Sequence, residues 1–149
     1  AKKVVLLGSF NNWKDNELFM TKTATGWRLP YTLGPGNYQY NLKIDGKQAV
    51  NAQTKGNIAL VIEPNFTFRL KGFATAKNVC LAGALNDWNP TSFQMTRVGD
   101  EWISKAHLNA GKHPYKFVVD GKWIRDPANK FWEQNEYNTG NSIAWVTND

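Results

Sequence analysis

The chain is poor in the residues that build reactive centres. Cys80 is the only cysteine among 149 residues, which excludes an intramolecular disulfide and a thiolate metal cluster. It stands in the apolar run Val79-Cys80-Leu81-Ala82, where a packed role is expected. His107 and His113 lack cysteine or spaced carboxylate companions, so neither a metal site nor a cofactor is expected. No apolar run approaches the roughly 18 residues of a membrane span, and the apolar run after Lys2-Lys3, Val4 to Leu7, is shorter than the apolar region of a leader peptide. A membrane partner is not expected. The chain opens on Ala1 rather than Met, which suggests processing or trimming.

Acidic residues are few and fall in turns. Asp45 and Asp120 precede glycines, Asp100-Glu101 sits in a polar turn, and Asp126 precedes Pro127, all positions where turn chemistry and solvation account for a carboxylate. A glycosidase needs two carboxylates held across a cleft, and nothing here pairs them. No nucleophile elbow or glycine-rich phosphate loop is present either, so the chain is read as non-catalytic. The net charge of +6 leaves nucleic acid open as a partner. The lysines are scattered, however, and a solvated basic surface is the simpler reading.

What the chain does have is an internal repeat. Val4-Val5-Leu6-Leu7-Gly8-Ser9-Phe10-Asn11-Asn12-Trp13 returns as Val79-Cys80-Leu81-Ala82-Gly83-Ala84-Leu85-Asn86-Asp87-Trp88, at a shift of 75. The same shift carries Trp27 onto Trp102, Gly36 onto Gly111, Tyr40 onto Tyr115 and Asp45-Gly46-Lys47 onto Asp120-Gly121-Lys122. Farther on, Thr54 and Ile58 match Thr139 and Ile143 at a shift of 85, so the second copy is longer around Pro127 to Glu136. Each copy reads as short strands of period 2 between turn signals, which predicts two all-β sandwiches. Pro64 in Glu63-Pro64-Asn65 interrupts strand pairing, giving units 1–63 and 64–149. Phe66, Phe68 and Leu70 alternate with polar residues as an opening strand of the second unit, and the first unit has no counterpart, so its opening strand is expected to be missing. Trp27 and Trp102 are expected in the core, whereas Trp145 is ambiguous between core and surface.

The strongest local signal is Asp120-Gly121 between two apolar runs, a type I′ hairpin turn. It pairs Val119 with Lys122, Val118 with Trp123, Phe117 with Ile124 and Lys116 with Arg125, each pair sharing a face. Tyr115, Phe117, Val119 and Ile124 then form a core face. Lys116, Val118, Trp123 and Arg125 form the other, an exposed indole beside hydrogen-bond donors, which suits a sugar ring with its apolar faces and polar edges. In the first unit Tyr40, Leu42, Ile44 and Ala49 are the predicted core face, and Asn41, Lys43, Gln48 and Val50 the outer one.

Ser9-Phe10-Asn11-Asn12-Trp13, and Tyr115 to Trp123 followed by Asp126-Pro127, resemble the glycogen-binding domains of AMP-activated protein kinase β subunits. Those domains are family-48 carbohydrate-binding modules, which also precede the catalytic domains of isoamylase and branching enzymes. The resemblance implies an all-β fold of two tandem immunoglobulin-like, early-set β-sandwich domains. It also implies binding of α-1,4-glucan (glycogen, starch or maltooligosaccharide), as a targeting or accessory module attached to a further domain. Carried over by motif, the platform tryptophans fall on Trp88 and Trp123, the lysine on Lys116, and the loop positions on Tyr137, Thr139 and Asn141. Tyr137 departs from the aliphatic residue usual there. The first unit has Gln48 for the platform tryptophan, Asn41 for the lysine and Gly56 for the loop asparagine, keeping Trp13 and Thr54. It is therefore structural, with Trp13 at best an auxiliary contact, and Gln48→Trp with Asn41→Lys is expected to rebuild a site. The alternatives are a structural or interaction pair of sandwiches attached to an enzyme, a xylan-directed esterase included, or a single-stranded nucleic-acid module.

Overall fold

Period-2 alternation and frequent turn residues leave the backbone one way to satisfy its hydrogen bonds, which is in sheets. The computed structural model describes residues 1–51, 54 and 56–147. Its first half contains β1 (Val4–Gly8), β2 (Leu18–Phe19), β3 (Thr21–Thr23), β4 (Gly26–Arg28), β5 (Gly36–Ile44), β6 (Lys47–Gln48) and β7 (Ile58–Ile62). The second half contains β8 (Phe66–Lys71), β9 (Val79–Gly83), β10 (Thr96–Val98), β11 (Glu101–Ala106), β12 (Gly111–Val119), β13 (Lys122–Ile124), β14 (Trp132–Glu133) and β15 (Asn141–Val146). Short 3-10 turns at Ser9–Asn11 and Ala84–Asn86 follow β1 and β9.

The second half is a β-sandwich. One sheet runs β10-β11-β8; the other runs β13-β12-β15-β14, with β9 also on β12. Phe68 and Leu70 from the first sheet meet Leu81, Tyr115 and Phe117 from the second, with Trp102 closing the core at 8% exposure. The Trp102 indole Nε1–H donates to the Phe73 carbonyl at 3.2 Å, so its polar edge is satisfied as it is buried. The hairpin register is as read from the sequence for the pairs Phe117–Ile124, Val118–Trp123 and Val119–Lys122. Asp120 and Gly121 both have positive φ, as a type I′ turn requires. The Asp120 carboxylate also accepts the backbone N–H groups of Lys77 and Asn78, tying the hairpin tip to the start of β9. Asp45 does the same with Lys2 and Lys3, and those two bonds hold its pKa below the ordinary carboxylate value.

The first half departs from the sequence reading in which face it buries. Its main sheet is β2-β1-β5-β6 with β7 on β5, and β3-β4 form a separate ribbon. Where β11 lies between β10 and β8, β4 pairs among the described residues with β3 alone, and it is three residues long against six. Tyr40, Leu42 and Ala49, expected in a core, are only half-buried, and Ile44 is exposed. Trp27, also expected in the core, is half-buried on the two-stranded ribbon. By contrast Asn41 is 2% exposed and Gln39 is buried too. Pair register puts Asn37, Gln39 and Asn41 on one face with Val61, Ala59 and Leu7. That face packs on the second half: Ala59 and Val61 join its core cluster, and the Gln39 amide donates to the Asn86 carbonyl at 3.1 Å. The Asn37 side chain exchanges two hydrogen bonds with the His107 backbone, at 2.6 and 2.8 Å. The polar residues there are tolerated because their side-chain amides bond Asn57, Asn86 and His107, and Asn37 and Asn41 also accept backbone N–H groups, although the buried Gln39 Oε1 has no partner among the described residues.

Candidate functional site

Asn86 shapes the turn that presents Trp88. Its side-chain oxygen accepts the Gly83 N–H at 3.0 Å, and its amide donates to Leu81, Asn89 and Ser92. Asp87 and Trp88 then both take left-handed backbone conformations, φ 55° and 58°, and the Trp88 N–H closes on the Gly83 carbonyl at 2.8 Å. Two such residues in succession cost on the order of 1–3 kcal/mol each. A Cβ on Gly83 would lie 2.6 Å from the Pro114 carbonyl, so only glycine lets this turn approach β12.

Opposite the turn, the Asp120-Gly121 hairpin raises Trp123. The Trp88 and Trp123 rings stand 6.5 Å apart between centroids and are inclined by 35°. Trp88 is half-buried over a small apolar layer of Cys80, Ala82 and Val118, and Trp123 remains 40% exposed. Cys80 is packed as expected, and burial pushes its thiol up to about 11, away from thiolate chemistry.

Lys116 lies between the rings and the loop before β15. It is only 5% exposed, and its ammonium donates to the Thr139 hydroxyl at 3.1 Å. Burial, and secondarily the Arg125 guanidinium, hold its pKa below the usual lysine value. Trp88, Lys116, Trp123, Tyr137, Thr139 and Asn141 all line one concave surface of about 760 Å³, with Pro114 at its end. Tyr137 is exposed on the rim. The surface pairs flat apolar rings with an ammonium, a hydroxyl and amides, and among the described residues no group of histidine, cysteine and acidic side chains is placed to hold a metal.

A family model for the glycogen recognition site of AMP-activated protein kinase matches residues 65–149. The chain belongs to that family. The AMP-activated protein kinase β-1 subunit of Sus scrofa is 30% identical over 91 residues, which cover 61% of this chain and 62% of that protein. The β-1 subunit of Homo sapiens is equally identical over 91 residues, covering 28% of its length. The chain thus spans less than two thirds of these relatives. A solved maltogenic amylase from S. marinus is similar over 56% of this chain and 13% of its own, with TM-score 0.48 and 20% identity. The glycogen recognition match covers the half that carries the Trp88–Trp123 surface.

Within this glycogen recognition module one organising residue escaped the sequence reading. Asn135 accepts the backbone N–H groups of Tyr137 and Thr139 and donates to Thr139 and Asn141, so a single amide folds the loop that holds three lining residues. An asparagine two and four residues ahead of its backbone partners is an Asx-type turn signal, and it was the available clue. Gly140 completes the loop: it has φ 74°, and a Cβ there would meet the Trp132 ring at 2.7 Å.

The counterpart positions of the first half differ in burial. Trp13 is exposed on a turn like that of Trp88, with Asn12 and Trp13 at φ 57° and 59°. Gln48 is exposed, whereas Asn41 and Thr54 are buried. A cleft of about 490 Å³ runs between Thr54, Ile58 and Ala59 of the first half and Ser92, Phe93 and Ile103 of the second.

Proposed function

We propose that this chain is a non-catalytic α-glucan-binding module in which the second unit, residues 64–149, carries the site. Trp88 and Trp123 supply two stacking platforms for pyranose faces, Lys116, Thr139 and Asn141 bond ring hydroxyls, and Tyr137 edges the chain. The observation that carries this reading is the pair of inclined indoles 6.5 Å apart over a concave surface. A curved polysaccharide such as an α-1,4-glucan presents successive sugar faces at an angle, and inclined platforms suit it better than coplanar ones. Residues 1–63 are a second, degenerate copy of a family-48 module that supports the first, and the pair serves as a targeting or accessory module of a longer protein.

Each stacking contact is worth about 1–3 kcal/mol by analogy with bases on aromatics, so two platforms imply micromolar to millimolar dissociation constants. Native affinity electrophoresis in glycogen or soluble starch tests this directly. Retardation relieved by free maltoheptaose is expected, and binding insensitive to salt separates a neutral glucan from nucleic acid. Unretarded migration on every α-glucan would overturn the proposal.

A further inference from the structure

Trp145 is not among the residues that line the Trp88–Trp123 surface, yet it lies on the same face of the same sheet. Along β15 the outward positions are Asn141, Ile143 and Trp145, and across the register Ile143 pairs with Pro114 and Trp145 with Lys112. Pro114 ends the concave surface. The next outward pair, Lys112–Trp145, is therefore about 7 Å farther along the strands. Ile143 beneath is buried, but Trp145 leaves 57% of its surface to solvent. Beside it the Lys112 ammonium meets the Glu133 carboxylate at 2.6 Å, and Glu133 pairs with Asn141 across β14 and β15. An exposed ring of this size lies on the same face as a polysaccharide-type groove, and the Lys112–Glu133 pair spans from its level back to that of Asn141, which lines the groove, so the outer position repeats the groove's chemistry.

We propose that Trp145, with the Lys112–Glu133 pair reaching from its level back to Asn141, is an outlying sugar-stacking subsite for the same glucan chain, reached only by oligosaccharides that extend past Pro114. This rests on the α-glucan reading of the Trp88–Trp123 surface. The subsite makes the module prefer long, linear stretches over short ends. The ion pair stays solvated and offers donors and acceptors to hydroxyls, while the indole supplies the contact area.

The test compares maltotriose with a long linear maltodextrin by titration calorimetry. Wild-type protein is expected to bind the long chain more tightly. Trp145→Ala should lose about five-fold or more on the long chain, the value of one weak stacking contact, with maltotriose unchanged. Trp145→Tyr should recover most of the loss. The indole N–H resonance of Trp145 in the wild-type protein gives a reading that needs no variant: it should shift with the long chain and stay in place with maltotriose. Equal loss on both ligands, or no loss and no shift on the long one, would overturn the subsite. Failure of the wild-type protein to bind any α-glucan would overturn the underlying reading, and is seen before any variant is made.

Discussion

The Gln39 amide donates to the Asn86 carbonyl at 3.1 Å, joining the strand that would carry a first-half sugar face to the turn that presents Trp88. Gln39 is the repeat counterpart of Pro114, so the first half packs against the second half with the face on which the second half carries the proposed sugar site.

Asn37→Ala is expected to lower stability by roughly 1–3 kcal/mol, because two bonds to the His107 backbone are lost and those groups are left without partners. Glucan affinity should stay within about two-fold, since the site lies elsewhere. Urea denaturation and calorimetry on the same sample check both halves of this expectation.

Rebuilding a first-half site with Gln48→Trp and Asn41→Lys should fail. Asn41 is 2% exposed, and the Thr54 hydroxyl, counterpart of the Thr139 hydroxyl that receives Lys116, already bonds the Gly56 backbone, so a lysine there must bury its ammonium without that partner, at a cost of several kcal/mol unless it stays neutral. The double variant is expected to melt earlier and to titrate with one equivalent of maltoheptaose, as wild type does. Two equivalents would show that the face is accessible after all. Trp13→Ala should leave the affinity nearly unchanged.

Core and platform tryptophans should separate cleanly in unfolding experiments. Trp102→Ala removes a buried ring and is expected to cost roughly 3–5 kcal/mol. Trp27→Ala, on a half-buried two-stranded ribbon, should cost about 1–2 kcal/mol, because less apolar area is at stake. Trp123→Ala should abolish most glucan binding while shifting the midpoint least.

Lys116→Met keeps the aliphatic stem and removes a buried charge. Affinity should fall at least about ten-fold, the loss of one charge-assisted bond, while stability holds within about 1 kcal/mol or rises. The pH dependence provides a second reading. The folded pKa of Lys116 is depressed, so between that value and the ordinary lysine value the unfolded chain binds more protons and stability rises with pH. Cys80 and Tyr115, whose pKa values burial raises, pull the other way as pH climbs, so the stability of Lys116→Met should fall more steeply with alkaline pH than that of wild type.

Asn135→Ala is expected to weaken glucan binding without touching a ligand. It releases the bonds that set Tyr137, Thr139 and Asn141, and so loses affinity through disorder of the loop. Asn135→Asp, which keeps the acceptor, should retain part of it. An unchanged affinity in Asn135→Ala would mean that the loop is held by other contacts.

The sequence by itself determined the local geometry of this protein. Asp-Gly between apolar runs dictates a two-residue turn, and with it the pairing of Val118 with Trp123, because only a φ > 0 turn matches the strand twist. The repeat dictates that Asn11-Asn12-Trp13 and Asn86-Asp87-Trp88 adopt one shape. The hairpin register puts Lys116 and Trp123 on one face of one sheet, whereas Trp88 is placed beside them by the family resemblance alone. What the sequence could not decide is which face of the first-half sheet is covered. Period-2 alternation says which residues share a face, and a missing partner strand or an adjoining half decides which face water leaves. Tyr40 and Leu42 carry the apolar pattern of a core, but among the described residues β4 pairs with β3 alone, while the opposite face packs on the second half, so Gln39 and Asn41 are the residues buried. The depth of Lys116 likewise depends on a loop folded over it by Asn135, a contact across some twenty residues of chain that no local pattern encodes.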